Sequence, residues 1–176
     1  LKWFGLALFG LLFAGCSSQV DYQIGVVTNE VKGSLTAPDE AKPLILVRMS
    51  IATFAVSGLG QVHQARAKLV YPDKSGFYSV KMDAEVDQVD LYYLGQGHKV
   101  AQASFSRTLG VQAYVLDVTL KTEKNPKLGY FSGLKPLLTQ YIVEPRFKMP
   151  PKDQLALAKW MDEAESKLYP VPQKQP

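Results

Sequence analysis

The chain has 176 residues, 47% hydrophobic and 20% charged, a globular composition that excludes wholesale disorder and a fibrous repeat. One cysteine, Cys16, excludes an intramolecular disulfide and a multi-cysteine metal cluster, and two histidines, His63 and His98, leave little material for a zinc or haem site. The net charge of +4 is mildly basic and carries no pointer to nucleic acid, so no nucleic-acid partner is expected.

The chain opens on an uncharged run, W-F-G-L-A-L-F-G-L-L-F at residues 3–13, followed by Ala14-Gly15-Cys16-Ser17-Ser18. The run is too short to span a bilayer, which takes about 20 apolar residues. It fits the apolar core of a secretory signal, with Lys2 as the positive flank and small residues at the cleavage point. A helix with no polar face at the end of a small domain would need burial on every side, which argues against a core role.

Phe13-Ala14-Gly15-Cys16 resembles the lipobox of bacterial lipoproteins. Leucine is usual where Phe13 stands, whereas Ala14 and Gly15 fit the pattern. The resemblance implies a signal peptide over residues 1–15, cleavage before Cys16, and fatty acyl chains such as palmitate on that cysteine. It further implies, from Ser17 after the cysteine, sorting to the outer membrane with the protein facing the periplasm. One acyl chain binds a bilayer only marginally, and two or three hold it essentially permanently. Once Cys16 is modified, the mature chain holds no thiol, which suits an oxidising compartment.

Residues 16–43 are rich in serine, glycine and proline and read as a lipidated N-terminus and flexible tether, with at most a short strand at 23–28. From Leu44 the pattern is mostly β. In 44–56 Val47, Met49, Ile51, Thr53 and Ala55 share a strand face, though Leu44, Val47, Ile51 and Ala55 also fit a helix. Residues 64–71 alternate, 72–76 form a turn, and 77–84 place Tyr78, Val80 and Met82 on one face. Residues 89–106 read as a hairpin whose tip is Gly95-Gln96-Gly97-His98. Residues 112–121 alternate strictly, with Tyr114, Leu116, Val118 and Leu120 inward. A lysine-, glycine- and proline-containing loop over 122–136 and a strand over 137–147 follow, with Pro145 at an edge or bulge.

The fold expected is therefore mainly β, an antiparallel sandwich over 44–149. Residues 89–106 resemble a strand pair of bacterial immunoglobulin-like modules, which implies an immunoglobulin-like sandwich. A C-terminal α-helix over 150–170 follows Pro150-Pro151, with Asp153 at its positive end, and 171–176 form a disordered tail. Its apolar stripe runs through Leu155, Ala158, Met161 and Leu168 or through Leu157, Trp160, Ala164 and Leu168.

No nucleophile elbow, P-loop, dinucleotide fingerprint or zinc-protease motif occurs, so no catalytic residue, metal site or cofactor is assigned. Asp83, Glu85, Asp87 and Asp90 have spacing that calcium could use, but a solvated turn explains them better. His98 reads as a solvated turn residue. Lys121, Lys124, Lys127 and Lys135 make a basic loop, and Tyr92, Tyr93, Tyr130, Phe131 and Tyr141 are core or an aromatic surface. Trp160 and Met161 are core if the helix packs on the sandwich and a partner surface if it does not; with Lys124 and Lys127 they are the candidate partner surface. The expected function is a non-enzymatic, lipid-anchored interaction or assembly module with an envelope protein partner. A receptor for peptidoglycan or other cell-wall carbohydrate is the alternative, and a carboxylate hydrolase ranks behind both.

Overall fold

The structure is a computed structural model and describes residues 20–24, 30–51, 64–83, 86–107 and 111–169. Strands β1 (Val20–Ile24), β2 (Glu30–Thr36), β5 (Phe77–Lys81) and β8 (Val111–Leu116) form one sheet in the order β1-β8-β2-β5, with β9 (Val118–Thr119) beside β2. Strands β3 (Leu44–Ile51), β4 (Gln64–Val70), β6 (Val86–Leu94), β7 (Ala101–Ser106) and β10 (Phe147–Lys148) form a second, in the order β10-β4-β3-β6-β7. The protein is thus mainly β with two sheets and a C-terminal helix, α3 (Pro151–Leu168).

The alternation read from the sequence packs the sheets together. Ile45, Val47 and Met49 of β3 and Val89, Leu91 and Tyr93 of β6 meet Val31, Leu35, Tyr78, Val80, Tyr114 and Leu116 of the first sheet. The intervening residues of β3 and β6, Leu44, Leu46, Tyr92 and Leu94, point the other way and are also buried. They pack under Leu138, Tyr141, Leu157, Trp160 and Met161. The second sheet is therefore the middle of three layers. Burial on both faces explains why β3 reads as a nearly continuous apolar run.

Three expectations are corrected. The pairing is not wholly antiparallel: β2 runs parallel to β8 and β9, and β10 runs parallel to β4. The tether contains structure, because β1 and β2 both lie within 16–43 and belong to the first sheet. Gly33, which read as a linker residue, is required there; a Cβ on it would sit 1.9 Å from the Leu116 carbonyl oxygen of the neighbouring strand. Residues 122–136 and 137–147 are not a loop and a strand. They hold α1 (Pro126–Gly129), a π-helical stretch (Tyr130–Leu134) and α2 (Lys135–Val143), with a strand only at β10.

Asn125 caps α1 through Leu128 N–H (3.3 Å), and Pro126 occupies the first turn, where no amide donor is needed. The wide turn at Tyr130–Leu134 precedes Pro136. Loosened hydrogen bonding there accommodates a ring that cannot donate and would clash in a regular helix. Leu134, Leu138 and Tyr141 then follow helical spacing onto the central sheet.

Polar groups fix the layers to one another. The Tyr93 hydroxyl donates to the Tyr78 hydroxyl (2.7 Å), which donates to the Leu116 carbonyl (2.7 Å), joining the two sheets inside the core. The direction follows because a carbonyl only accepts. Asp153 does not cap α3, whose N-cap is Pro150; its carboxylate accepts the Leu69 N–H (3.1 Å) and ties the helix to β4. Midway along α3, Trp160 Nε1 donates to the Lys42 carbonyl (2.9 Å).

The turn before β5 is built by Asp73, whose Oδ1 accepts from Ser75 N (2.8 Å), Ser75 Oγ (2.6 Å) and Phe77 N (2.9 Å). Gly76, at φ +82°, follows, and its carbonyl receives Leu35 N–H of β2 (2.8 Å). The hydroxyl and backbone donors hold the Asp73 carboxyl below the ordinary carboxylate range, the Ser75 hydroxyl foremost. Its stabilising effect is present above the ordinary carboxylate pKa and is lost as the pH falls through the lowered value. Asp73→Ala is expected to lower the melting temperature at neutral pH, with the gap to the native protein closing in acid. A gap that persists unchanged in acid, measured by circular dichroism, would assign the effect to something other than the charge.

Candidate functional site

The hairpin tip, the start of the 126–143 helical segment and the last turns of α3 enclose a cleft of about 240 Å³. Gln96 N–H donates to the Ala41 carbonyl (2.7 Å), Lys99 N–H to Lys121 (2.8 Å) and Glu123 N–H to Gly97 (2.9 Å), so the tip is pinned on both sides. Gly97 makes the turn at φ +78°. Val100, Pro126, Leu134, Trp160, Ala164 and Leu168 give the cleft an apolar wall.

Its polar members are few and specific. Gln96 is buried; its Nε2 donates to the Trp160 carbonyl at 3.4 Å, and its Oε1 has no partner among the described residues. His98 Nδ1 lies 3.0 Å from the Gln96 carbonyl. A carbonyl only accepts, so this nitrogen carries the hydrogen. The Tyr130 hydroxyl donates to the Met161 carbonyl (2.9 Å). Burial, reinforced by Glu165 and Asp162, pushes its pKa up to about 12 and keeps it a donor at neutral pH. Glu123 accepts from Asn125 N–H (3.2 Å), and Lys167 Nζ donates to the Glu40 carbonyl (2.8 Å).

The residues singled out in the sequence divide sharply. Cys16, Ser17 and His63 lie outside the described residues, as do residues 1–15 and the tail over 171–176. Trp160 and Met161 are corrected from partner surface to core. They are 5% and 7% exposed because α3 lays the stripe Leu157, Trp160, Met161 and Ala164 on the central sheet. Of the alternative stripe, Leu155 is turned out at 74% exposure, whereas Met161 is buried and Leu168 partly buried. Lys124 and Lys127 are exposed, and the Lys127 ammonium stands 4.5 Å from the Tyr169 ring centroid. Leu128 and Tyr169 are exposed alongside, with Phe131 half-buried 5.8 Å from the Tyr169 ring. Tyr92, Tyr93, Tyr130 and Tyr141 are core.

The acidic residues are not brought together. Glu85 lies outside the described residues, Asp83 is 3.9 Å from Arg66, and Asp90 is buried. Asp90 accepts from Gln88 Nε2 (2.8 Å) and Ser104 Oγ (2.7 Å), with Arg48 Nε at 3.6 Å. Arg48, Asp90 and Ser104 are register neighbours across β3, β6 and β7. This polar row crosses the central sheet next to Leu46 and Tyr92. Among the described residues no three His, Cys, Asp or Glu side chains are grouped as a metal site. None of their helices is long and apolar enough to cross a membrane.

Gln96 and Tyr130 were not singled out as a pair by the sequence. The available signal was a glutamine flanked by Gly95 and Gly97 in a tip otherwise expected to be solvated. A scan against protein-family models, a search of curated proteins and a search of solved structures each returned no match.

Proposed function

We propose that the chain is a lipid-anchored outer-membrane lipoprotein facing the periplasm, and that its body is a non-enzymatic binding module for an envelope protein partner. The observation that carries this reading is the lipobox-like Phe13-Ala14-Gly15-Cys16 followed by Ser17, at the end of an uncharged apolar run. The stacked sheets serve as a stiff support, the use made of such sheets in immunoglobulin-like modules. The partner surface keeps Lys124 and Lys127, gives up Trp160 and Met161, and takes in Leu128 and Tyr169, where charge and apolar area are both exposed. Leu128 and Tyr169 are 63% and 54% exposed, and aromatic side chains are frequent anchors of binding energy.

Labelling with a palmitate analogue in a Gram-negative host, followed by intact-mass analysis of the purified protein, tests the anchor. The expected product begins at an acylated Cys16, and Cys16→Ala abolishes the label and leaves the leader attached. An unmodified sulfur in the native protein would overturn the reading. Crosslinking in intact cells tests the module: a defined protein adduct is expected and should weaken at least several-fold in a Lys124→Glu/Lys127→Glu variant. An adduct indifferent to both changes would place the partner surface elsewhere.

A further inference from the structure

We propose that the cleft beside Trp160 binds a small amphipathic anion, a carboxylate at the end of a short unbranched apolar stem. Two observations converge on that chemistry. The wall is hydrocarbon and aromatic: Val100, Pro126, Leu134, Trp160, Ala164 and Leu168. Such a surface favours an apolar stem over a sugar, most of whose hydroxyls would lose their water against hydrocarbon. The rim is cationic. Lys99 and Lys167 stand among the lining residues against the single carboxylate of Glu123, and Lys124 and Lys127 flank Pro126. A low-dielectric hollow with lysines at its mouth concentrates their field on an anionic head group.

Gln96 lines the same wall at 7% exposure, with one long hydrogen bond through Nε2 and an Oε1 without a partner among the described residues. That oxygen only accepts, so it offers a carboxylate nothing and the head group is left to the lysines. The size sets the stem: about 240 Å³ accommodates roughly eight water-sized groups. A chain of about seven carbons occupies that space and leaves its carboxylate at the lysine rim.

Octanoate is the probe, titrated calorimetrically into the full chain held in zwitterionic nanodiscs, with empty discs as the blank. Saturable one-to-one binding is expected, at least about tenfold tighter than octanol and with none for octylamine. Lys99→Gln/Lys167→Gln, two exposed positions that leave the core untouched, should weaken octanoate about tenfold with an unchanged circular-dichroism spectrum. Ala164→Met fills the cleft and should remove binding. Absence of saturable heat, equal affinity for octanol, or indifference to the lysine changes would each overturn the proposal. Discs containing phosphatidylglycerol identify the source: competition with octanoate makes it a membrane lipid, and lack of competition a free acid. The binding does not depend on acylation of Cys16, so its failure and the failure of the anchor are separate results.

Discussion

Replacing Tyr78 with phenylalanine is expected to lower the unfolding free energy by about 2–4 kcal/mol, against about 1 kcal/mol for the same change at Tyr93. The two hydroxyls touch each other, and their rings lie edge to face at 5.6 Å, so packing alone predicts similar losses. The direction of the hydrogen bonds separates them. Without Tyr93 the Tyr78 hydroxyl still donates to Leu116. Without Tyr78 the Tyr93 hydroxyl, on a residue with no solvent exposure, is left with nothing to donate to, and the Leu116 carbonyl loses its hydroxyl donor. The double phenylalanine variant should be more stable than Tyr78→Phe alone, because it removes the stranded group. Urea denaturation of the three variants measures this, and equal losses in both single variants would refute the assigned direction.

The same pair sets the alkaline limit. Burial pushes Tyr78 up to about 12, against the smaller lowering from the Tyr93 hydrogen bond, and burial also raises Tyr93. Both stay neutral in the fold while an unfolded tyrosine ionises near its ordinary value of about 10. Their contribution is complete below that value, and that of Tyr78 disappears as the pH rises from there through about 12. The tyrosinate absorbance of these residues should therefore appear together with unfolding and not before it.

The second large effect lies in α3. Leu157→Ala should cost about 2–5 kcal/mol, whereas Leu155→Ala, two residues earlier, should change stability by less than about 0.5 kcal/mol. Leu157 is wholly buried between the helix and the central sheet, and Leu155 is 74% exposed. The composition of the helix allows either leucine on the core face. Its tertiary anchors choose between them: the Leu69 N–H bond to Asp153, the Trp160 bond to Lys42, and the Lys42–Glu163 ion pair at 2.6 Å fix the rotation. Comparable losses at both positions, measured by thermal unfolding, would mean that the helix is rotated from this placement.

Where one face met the core and the other met water, the sequence was readable. The buried set Ala65, Ala67 and Leu69, the set Tyr78, Val80 and Met82, and the set Ala101, Ala103 and Phe105 all follow period-two alternation. So does Tyr114 through Leu120, with Asp117 on the exposed side accepting two hydrogen bonds from Ser34. The pattern became ambiguous at β3, because burial on both faces erases alternation and leaves helix and strand equally compatible. It misled at β2, where Gly33 and Ser34 look like linker while serving a close backbone approach and a side-chain bond to Asp117. It misled again at 126–143, where two prolines and two glycines hide the spacing of Tyr130, Leu134, Leu138 and Tyr141. The cleft was not legible for a related reason. Its walls come from three segments distant in the chain, and its most informative residue, Gln96, is unremarkable until its burial is known.

The pairing of β1 with β8 has a consequence for how such a molecule would sit in the envelope. Val20 is already in register with Leu116, and only three residues, four chain steps, separate it from Cys16. At full stretch they reach about 14 Å. A body acylated at that cysteine would have no long leash on which to roam. It would ride with one sheet margin against the lipid headgroups, turning about that margin, and could meet only those neighbours that come to the bilayer themselves.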